Sequence, residues 1–248
     1  MFTIYGHRGL PSKAPENTLA SFKKATTISD LKWIELDVAI TKDEQLVIIH
    51  DDYLDRTTNM IGEVTQLDYN EIKHASAGSW FNNEYEAERL PTLKDIIDLA
   101  NKTKLNLNIE LKGVSGSNGS VLSESMVTQV AEMLKSLNNQ IEVLISSFNI
   151  YLVKLAEAMM PQYQRALIFK ASAFDKDWRT LLNFCNSSII NIEDTKLTQA
   201  RVKEIKNAGY SLNVWTVNNQ SRANQLANWG VDGIFTDKAD ELIHLQSL

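Results

Sequence analysis

Disulfide bonding within the chain is excluded, because its 248 residues include a single cysteine. Cys185 sits in "LLNFCNSS" with no activating partner beside it. It reads as a small buried hydrophobe and fits a reducing compartment. Positive charge is also scarce: 25 Lys and Arg stand against 31 Asp and Glu, a formal net charge of −6. That balance argues against gripping a nucleic-acid backbone, which needs clustered cations. It leaves room for a small anionic substrate at a locally positive site. No apolar run approaches the length of a membrane span, so we expect no stable membrane anchoring. Met1 runs at once into a strand-like stretch, from which we expect no secretory leader and a cytoplasmic location.

What is present is rhythm. Apolar residues make up 44% and charged residues 23%, an ordinary globular balance, and the length suits one large domain or two small ones. β-rich runs occur at 2–6, 33–40, 46–50, 105–112, 141–148, 165–170, 188–193, 211–217 and 233–237. From residue 100 onward they alternate with amphipathic helical patterns such as 122–137 and 198–209, which implies parallel pairing with right-handed crossovers. The runs 33–40 and 46–50 are separated only by "TKDEQ", too short for a helical crossover, so they must form a hairpin. Removing the return strand leaves eight parallel strands, the number that closes a TIM (β/α)8 barrel. We therefore predict one α/β domain over residues 1–248. Strand two runs past the barrel rim as a β-hairpin extension, and 51–91, where the alternation lapses, form a small capping insertion. A repeat restarts at Pro91-Thr92 with a helix over 93–103, and the Gly/Ser-rich 113–120 reads as a mobile loop.

Barrel enzymes carry their reactive groups at the carboxyl ends of the strands. Here those ends read His7-Arg8, then Glu35 and Asp37, then Glu110 and Lys112. Glu35 and Asp37, two apart on a strand, share a face, and Glu110 stands on the neighbouring strand. Three carboxylates converging on a wet mouth call for a hard divalent ion, Mg²⁺ or Ca²⁺. His7 and His50 flank that cluster as an acid–base pair, with pairing about a 43–44 turn setting His50 opposite Asp37. Arg8 and Lys112 supply the charge to hold a phosphate, and Gly9 lets the backbone pass close to it. In "PENT" (15–18), Asn17 or Thr18 can cap a helix carrying Leu19 and Phe22, while "DRTTN" (55–59) braces the loop after His50.

The ordered series "HRG…PENT" (7–18), "ELDV" (35–38), "HDD…DRTTN" (50–59), "AGSWF" (77–81), "PTL" (91–93), "IELK" (109–112), "SSF" (146–148), "WTVN" (215–218) and "DGIFTD" (232–237) resembles the glycerophosphodiester phosphodiesterase family, in its bacterial cytoplasmic type. The likeness spans nearly the whole chain. It implies a metal-dependent TIM barrel that hydrolyses small glycerophosphodiesters to an alcohol and sn-glycerol 3-phosphate. It further implies that Glu35, Asp37 and Glu110 hold one divalent ion, that His7 and His50 are the acid–base pair, and that Arg8 and Lys112 hold phosphate. Phe148 and Trp215 would wall the glycerol side. Two departures lie away from these residues: "TDKAD" (236–240) where a proline often follows the Asp, and "TKDEQ" without a turn glycine. The rival readings are a lysophospholipase D, with Trp80, Phe81 and Tyr85 as an apolar ramp, and a catalytically silent phosphodiester-binding barrel.

Overall fold

A computed structural model describes residues 2–247. Nine strands form one sheet: β1 (Thr3–Gly6), β2 (Trp33–Ile40), β3 (Leu46–Ile48), β4 (Asn106–Leu111), β5 (Val143–Ser147), β6 (Gln164–Phe169), β7 (Ile189–Glu193), β8 (Ser211–Trp215) and β9 (Gly233–Thr236). Eight of them pair in parallel, and β1 closes the ring by pairing with both β9 and β2. The fold is a TIM barrel, with helices between successive strands. β3 lies outside the ring, antiparallel to β2, as the short connection requires.

Side-chain alternation explains how these strands serve two layers. Along β2, Ile34, Leu36, Val38 and Ile40 belong to the main apolar core, with the helices, while Glu35 and Asp37 take the other face. The same holds on β4, where Leu107, Ile109 and Leu111 alternate with Asn108 and Glu110. A small apolar cluster of Leu144, Ala166 and Ile189, with Trp33 against it, is separate from that core. Buried amides are paired between neighbouring strands: Asn108 Nδ2 donates to Ser146 Oγ at 3.0 Å and Asn213 Nδ2 to Asn191 Oδ1 at 3.0 Å. Helix Leu93–Thr103 buries Leu93, Ile96, Ile97 and Ala100 at helical spacing, and Thr92 with Asp95 closes a capping box at its start. Gly209, with φ +87°, ends the turn after helix Gln199–Asn207. The expected loop 113–120 is shorter by two residues, since a helix begins at Gly119.

Residues 51–91 hold short helical turns at Val64–Gln66, Tyr69–Ile72 and Asn83–Tyr85, and an isolated antiparallel bridge between Tyr53 and Glu63. Leu54, Val64, Ile72, Ala77 and Leu90 form a second apolar cluster with Ala39, Val47 and Ile49 of the hairpin. This segment is thereby fastened to the β2–β3 extension.

One local expectation needs correction. The hairpin register pairs Val38 with Ile48 and Ile40 with Leu46, so Ile49, not His50, faces Asp37, and Ile49 N–H donates to Asp37 O at 3.1 Å. The cause is a three-residue loop centred on Asp43, in which Glu44 takes φ +62°, a conformation glycine usually supplies. Gly9 is needed for a further reason, the close approach of the helix after it. At φ +94°, a Cβ there would lie 2.5 Å from Ser21 Oγ and 2.9 Å from Phe22 N.

Candidate active site

The carboxyl ends of the strands surround a cavity of about 550 Å³. His7, Arg8, Glu35, His50, Glu110, Lys112, Phe148 and Trp215 all line it, with Lys170 and Glu193 across from the carboxylates. Asp37 lies beneath, 1% exposed. All nine residues singled out from the sequence thus meet at one mouth.

The register builds the carboxylate cluster. β2 and β4 pair so that Asp37 stands beside Glu110 and Glu35 beside Asn108. One oxygen from each of Glu35, Asp37 and Glu110 lies within 4.8 Å of the others, so the cluster could hold a metal ion. Asp37 Oδ1 is buried without a hydrogen-bond partner, which leaves it a lone pair to give to a cation. Its other oxygen, Oδ2, accepts from Asn17 Nδ2 at 2.8 Å. The donor set is all oxygen and fits a hard divalent ion.

Electrostatics reinforce this. Burial, then Asp37 and Glu110 nearby, push the Glu35 carboxyl well above the usual range. Burial and Asp37 push Glu110 up to about 6, against the pull of Lys112. Burial also works against Asp37, but Lys112, Arg8 and His50 outweigh it and hold that carboxyl well below its ordinary value. Lys112 Nζ donates to Glu110 Oε1 at 2.8 Å and lies 3.5 Å from Asp37 Oδ1. Arg8 N–H donates to Glu35 Oε2 at 2.9 Å, an orientation set by its left-handed φ of +53°.

Both histidines at the mouth have a carboxylate on Nδ1. His7 Nδ1 lies 2.7 Å from Asp237 Oδ1, and Asn218 Nδ2 donates to the other Asp237 oxygen at 2.6 Å. His50 Nδ1 lies 2.6 Å from Asp51 Oδ1. A neutral ring so partnered keeps its proton on Nδ1, leaving the Nε2 lone pair for the reaction. Phe148 and Trp215 meet edge to face at 5.6 Å on the far wall.

Sequence reasoning read Asn17 as a possible helix cap and Asp237 as a charged strand end, and gave neither these nor Asp51 a role in the site. Thr18 does cap helix Leu19–Ala25 through Ser21 N–H, but the neighbouring Asn17 is 3% exposed and turns its amide onto Asp37. Glu16 likewise joins the site, accepting from Arg8 Nη1 at 2.7 Å. The bracing role expected of "DRTTN" holds: Arg56 grips Asp51, and Thr58 Oγ1 donates to Leu54 O.

A parallel barrel whose mouth joins a carboxylate cluster, two carboxylate-backed histidines and two cations has the equipment of a hydrolase acting on an anionic ester. Comparisons with known proteins are specific. The profile of the glycerophosphoryl diester phosphodiesterase family matches residues 7–241. The glycerophosphodiester phosphodiesterase of Caldanaerobacter subterraneus subsp. tengcongensis is 34% identical over 98% of this chain and 96% of its own length. That of Bacillus altitudinis is 31% identical over 99% and 98%. An Oleispira antarctica phosphodiesterase, solved with the product sn-glycerol-3-phosphate, superposes with a TM-score of 0.91 at 33% identity, covering 99% of this chain and 97% of that one. The chain belongs to the glycerophosphoryl diester phosphodiesterase family, and it is an enzyme of that class, a phosphoric diester hydrolase.

Proposed function

We propose that this enzyme hydrolyses small water-soluble glycerophosphodiesters, glycerophosphocholine and glycerophosphoethanolamine among them, to an alcohol and sn-glycerol 3-phosphate. The observation that supports this best is the meeting of the Glu35–Asp37–Glu110 cluster with His7, His50, Arg8 and Lys112 around one cavity. A divalent ion, Mg²⁺ or Ca²⁺, held by the three carboxylates would supply charge to offset what develops on the phosphoryl oxygens. Arg8 and Lys112 orient the phosphate, the first by its planar fork and the second as a point charge. One histidine takes the proton from the attacking oxygen at Nε2, and the other gives a proton to the leaving alcohol. Phe148 and Trp215 wall the glycerol, and residues 51–91 act as a cap on one barrel domain. Among the described residues no helix is long and apolar enough to cross a membrane, and the lone thiol, Cys185, is buried, which agrees with work in the cytoplasm.

A lysolipid substrate is disfavoured, since Trp80, Phe81 and Tyr85 do not line the cavity. The test is turnover of glycerophosphocholine by metal-stripped enzyme, with and without added Mg²⁺ or Ca²⁺, and kcat/KM beside lysophosphatidylcholine. Activity should vanish on stripping, return with the ion and favour the short diester. Full turnover after stripping refutes the metal, and preference for the lysolipid refutes the substrate.

A further inference from the structure

Arg56 reaches the rim from the 51–91 segment and uses two edges of its guanidinium at once. Nη1 and Nη2 donate to Glu16 Oε2 and Oε1, both at 2.8 Å. Nε and Nη2 donate to Asp51 Oδ2 and Oδ1 at 2.6 and 2.9 Å. Both carboxylates are already engaged with the site: Glu16 Oε1 accepts from Arg8 Nη1 at 2.7 Å, and Asp51 Oδ1 meets His50 Nδ1 at 2.6 Å. One side chain therefore stands behind both a phosphate-gripping cation and an acid–base imidazole.

The ordinary reading of such a residue is a surface ion pair. Its side chain is 45% exposed, and exposed pairs contribute little to stability. Four donors on two carboxylates in two planar forks is more than an ion pair asks for, and a point charge could not reproduce it. We infer that Arg56 is a positioning residue, fixing Asp51 behind His50 and holding Glu16 against Arg8 Nη1, which sets the direction of the Arg8 fork toward the phosphate. Without Arg56, Asp51 is free to rotate and His50 loses its fixed Nδ1 partner, which lowers kcat. Glu16 is free to rotate as well, and Arg8 loses the fixed carboxylate that sets its direction, which raises KM. This inference rests on the roles proposed above for His50 and Arg8.

The experiment compares Arg56→Ala, Arg56→Lys, Asp51→Asn, His50→Ala and Arg8→Ala on glycerophosphocholine with the ion present, with thermal melting of each. Arg56→Ala should lose about 10–100-fold in kcat/KM, through both kcat and KM, as loss of a partner behind an active-site ligand does. Its melting temperature should stay close to the parent's. Arg56→Lys should recover only part, and millimolar guanidinium should restore turnover to Arg56→Ala but not to Asp51→Asn or His50→Ala. Lys73→Ala, at a half-buried cation on the same segment whose Nζ donates to Asn70 Oδ1, serves as the silent control. Parent-like kcat/KM in Arg56→Ala, or a loss that guanidinium does not relieve, overturns the inference. Parent-like turnover in His50→Ala or Arg8→Ala instead overturns the underlying roles.

Discussion

Stripped of divalent ions and taken from about pH 7.5 to pH 5, the protein should lose affinity for Mg²⁺ or Ca²⁺ far more steeply than ordinary carboxylates would dictate. An ion binds the ionised cluster, so each proton on a ligand competes with it. A carboxyl with an unperturbed value near 4.3 stays at least about four-fifths ionised throughout this range. Glu110, pushed up to about 6 by burial and by Asp37, is not. Between pH 7 and pH 5 its ionised fraction falls about tenfold, equivalent to about 1.4 kcal/mol of binding free energy. Glu35 is displaced in the same direction and steepens the slope, while Asp37 is held ionised and adds nothing to it. Stability follows the same logic. Raised values in the folded state mean that the contribution of Glu35 and Glu110 is present in acid and fades as pH rises through the folded value. Added ion should therefore raise the melting temperature more at pH 7.5 than at pH 5. Titration calorimetry in buffers of different ionisation enthalpy reads both the affinity and the protons released. A dissociation constant that stays level across the range, with no proton release near pH 6, would refute the reasoning.

His7→Ala and His50→Ala should each lose roughly 10²–10⁴ in kcat while melting like the parent, whereas exposed His74→Ala keeps its turnover. Equal damage from His74→Ala and His50→Ala at normal stability would reassign the second acid–base group. Gly9→Ala should be destabilised by about 2–5 kcal/mol, from the left-handed φ and the clash with Ser21 and Phe22. A melting temperature unchanged from the parent would show that the turn yields without cost.

The barrel was legible because its signals are local. Each strand is an apolar run of the right length, and "TKDEQ" is too short for anything but a hairpin. Glu35, Asp37 and Glu110 were legible because strand ends in this architecture converge. The register of the hairpin was not, since the left-handed residue of its turn is Glu44 and no glycine marks a three-residue loop. Asn17 escaped because the capping duty falls to Thr18, and the Asn17 amide finds its partner twenty residues on, across the barrel rim. Arg56 escaped for a like reason: its pairing with Glu16 joins a loop to an insertion, and nothing periodic in either predicts their meeting. An asparagine left without a capping task, in a loop that must be buried, was the one available clue.

The two histidines are completed at opposite scales of the chain. Asp51 follows His50 directly, so that dyad can exist as soon as the hairpin and its turn have formed. His7 waits for Asp237, a separation of 230 residues bridged only where the first and last strands meet. Closing so long a loop is the slow, entropically costly event in assembling a ring of strands. A nascent or nicked molecule with its seam open therefore carries one finished histidine–carboxylate pair and one histidine without its partner. With His7 in its proposed role, turnover becomes a report on closure itself, and any break that frees the last strand should silence the enzyme while leaving the carboxylate cluster on β2 and β4 intact.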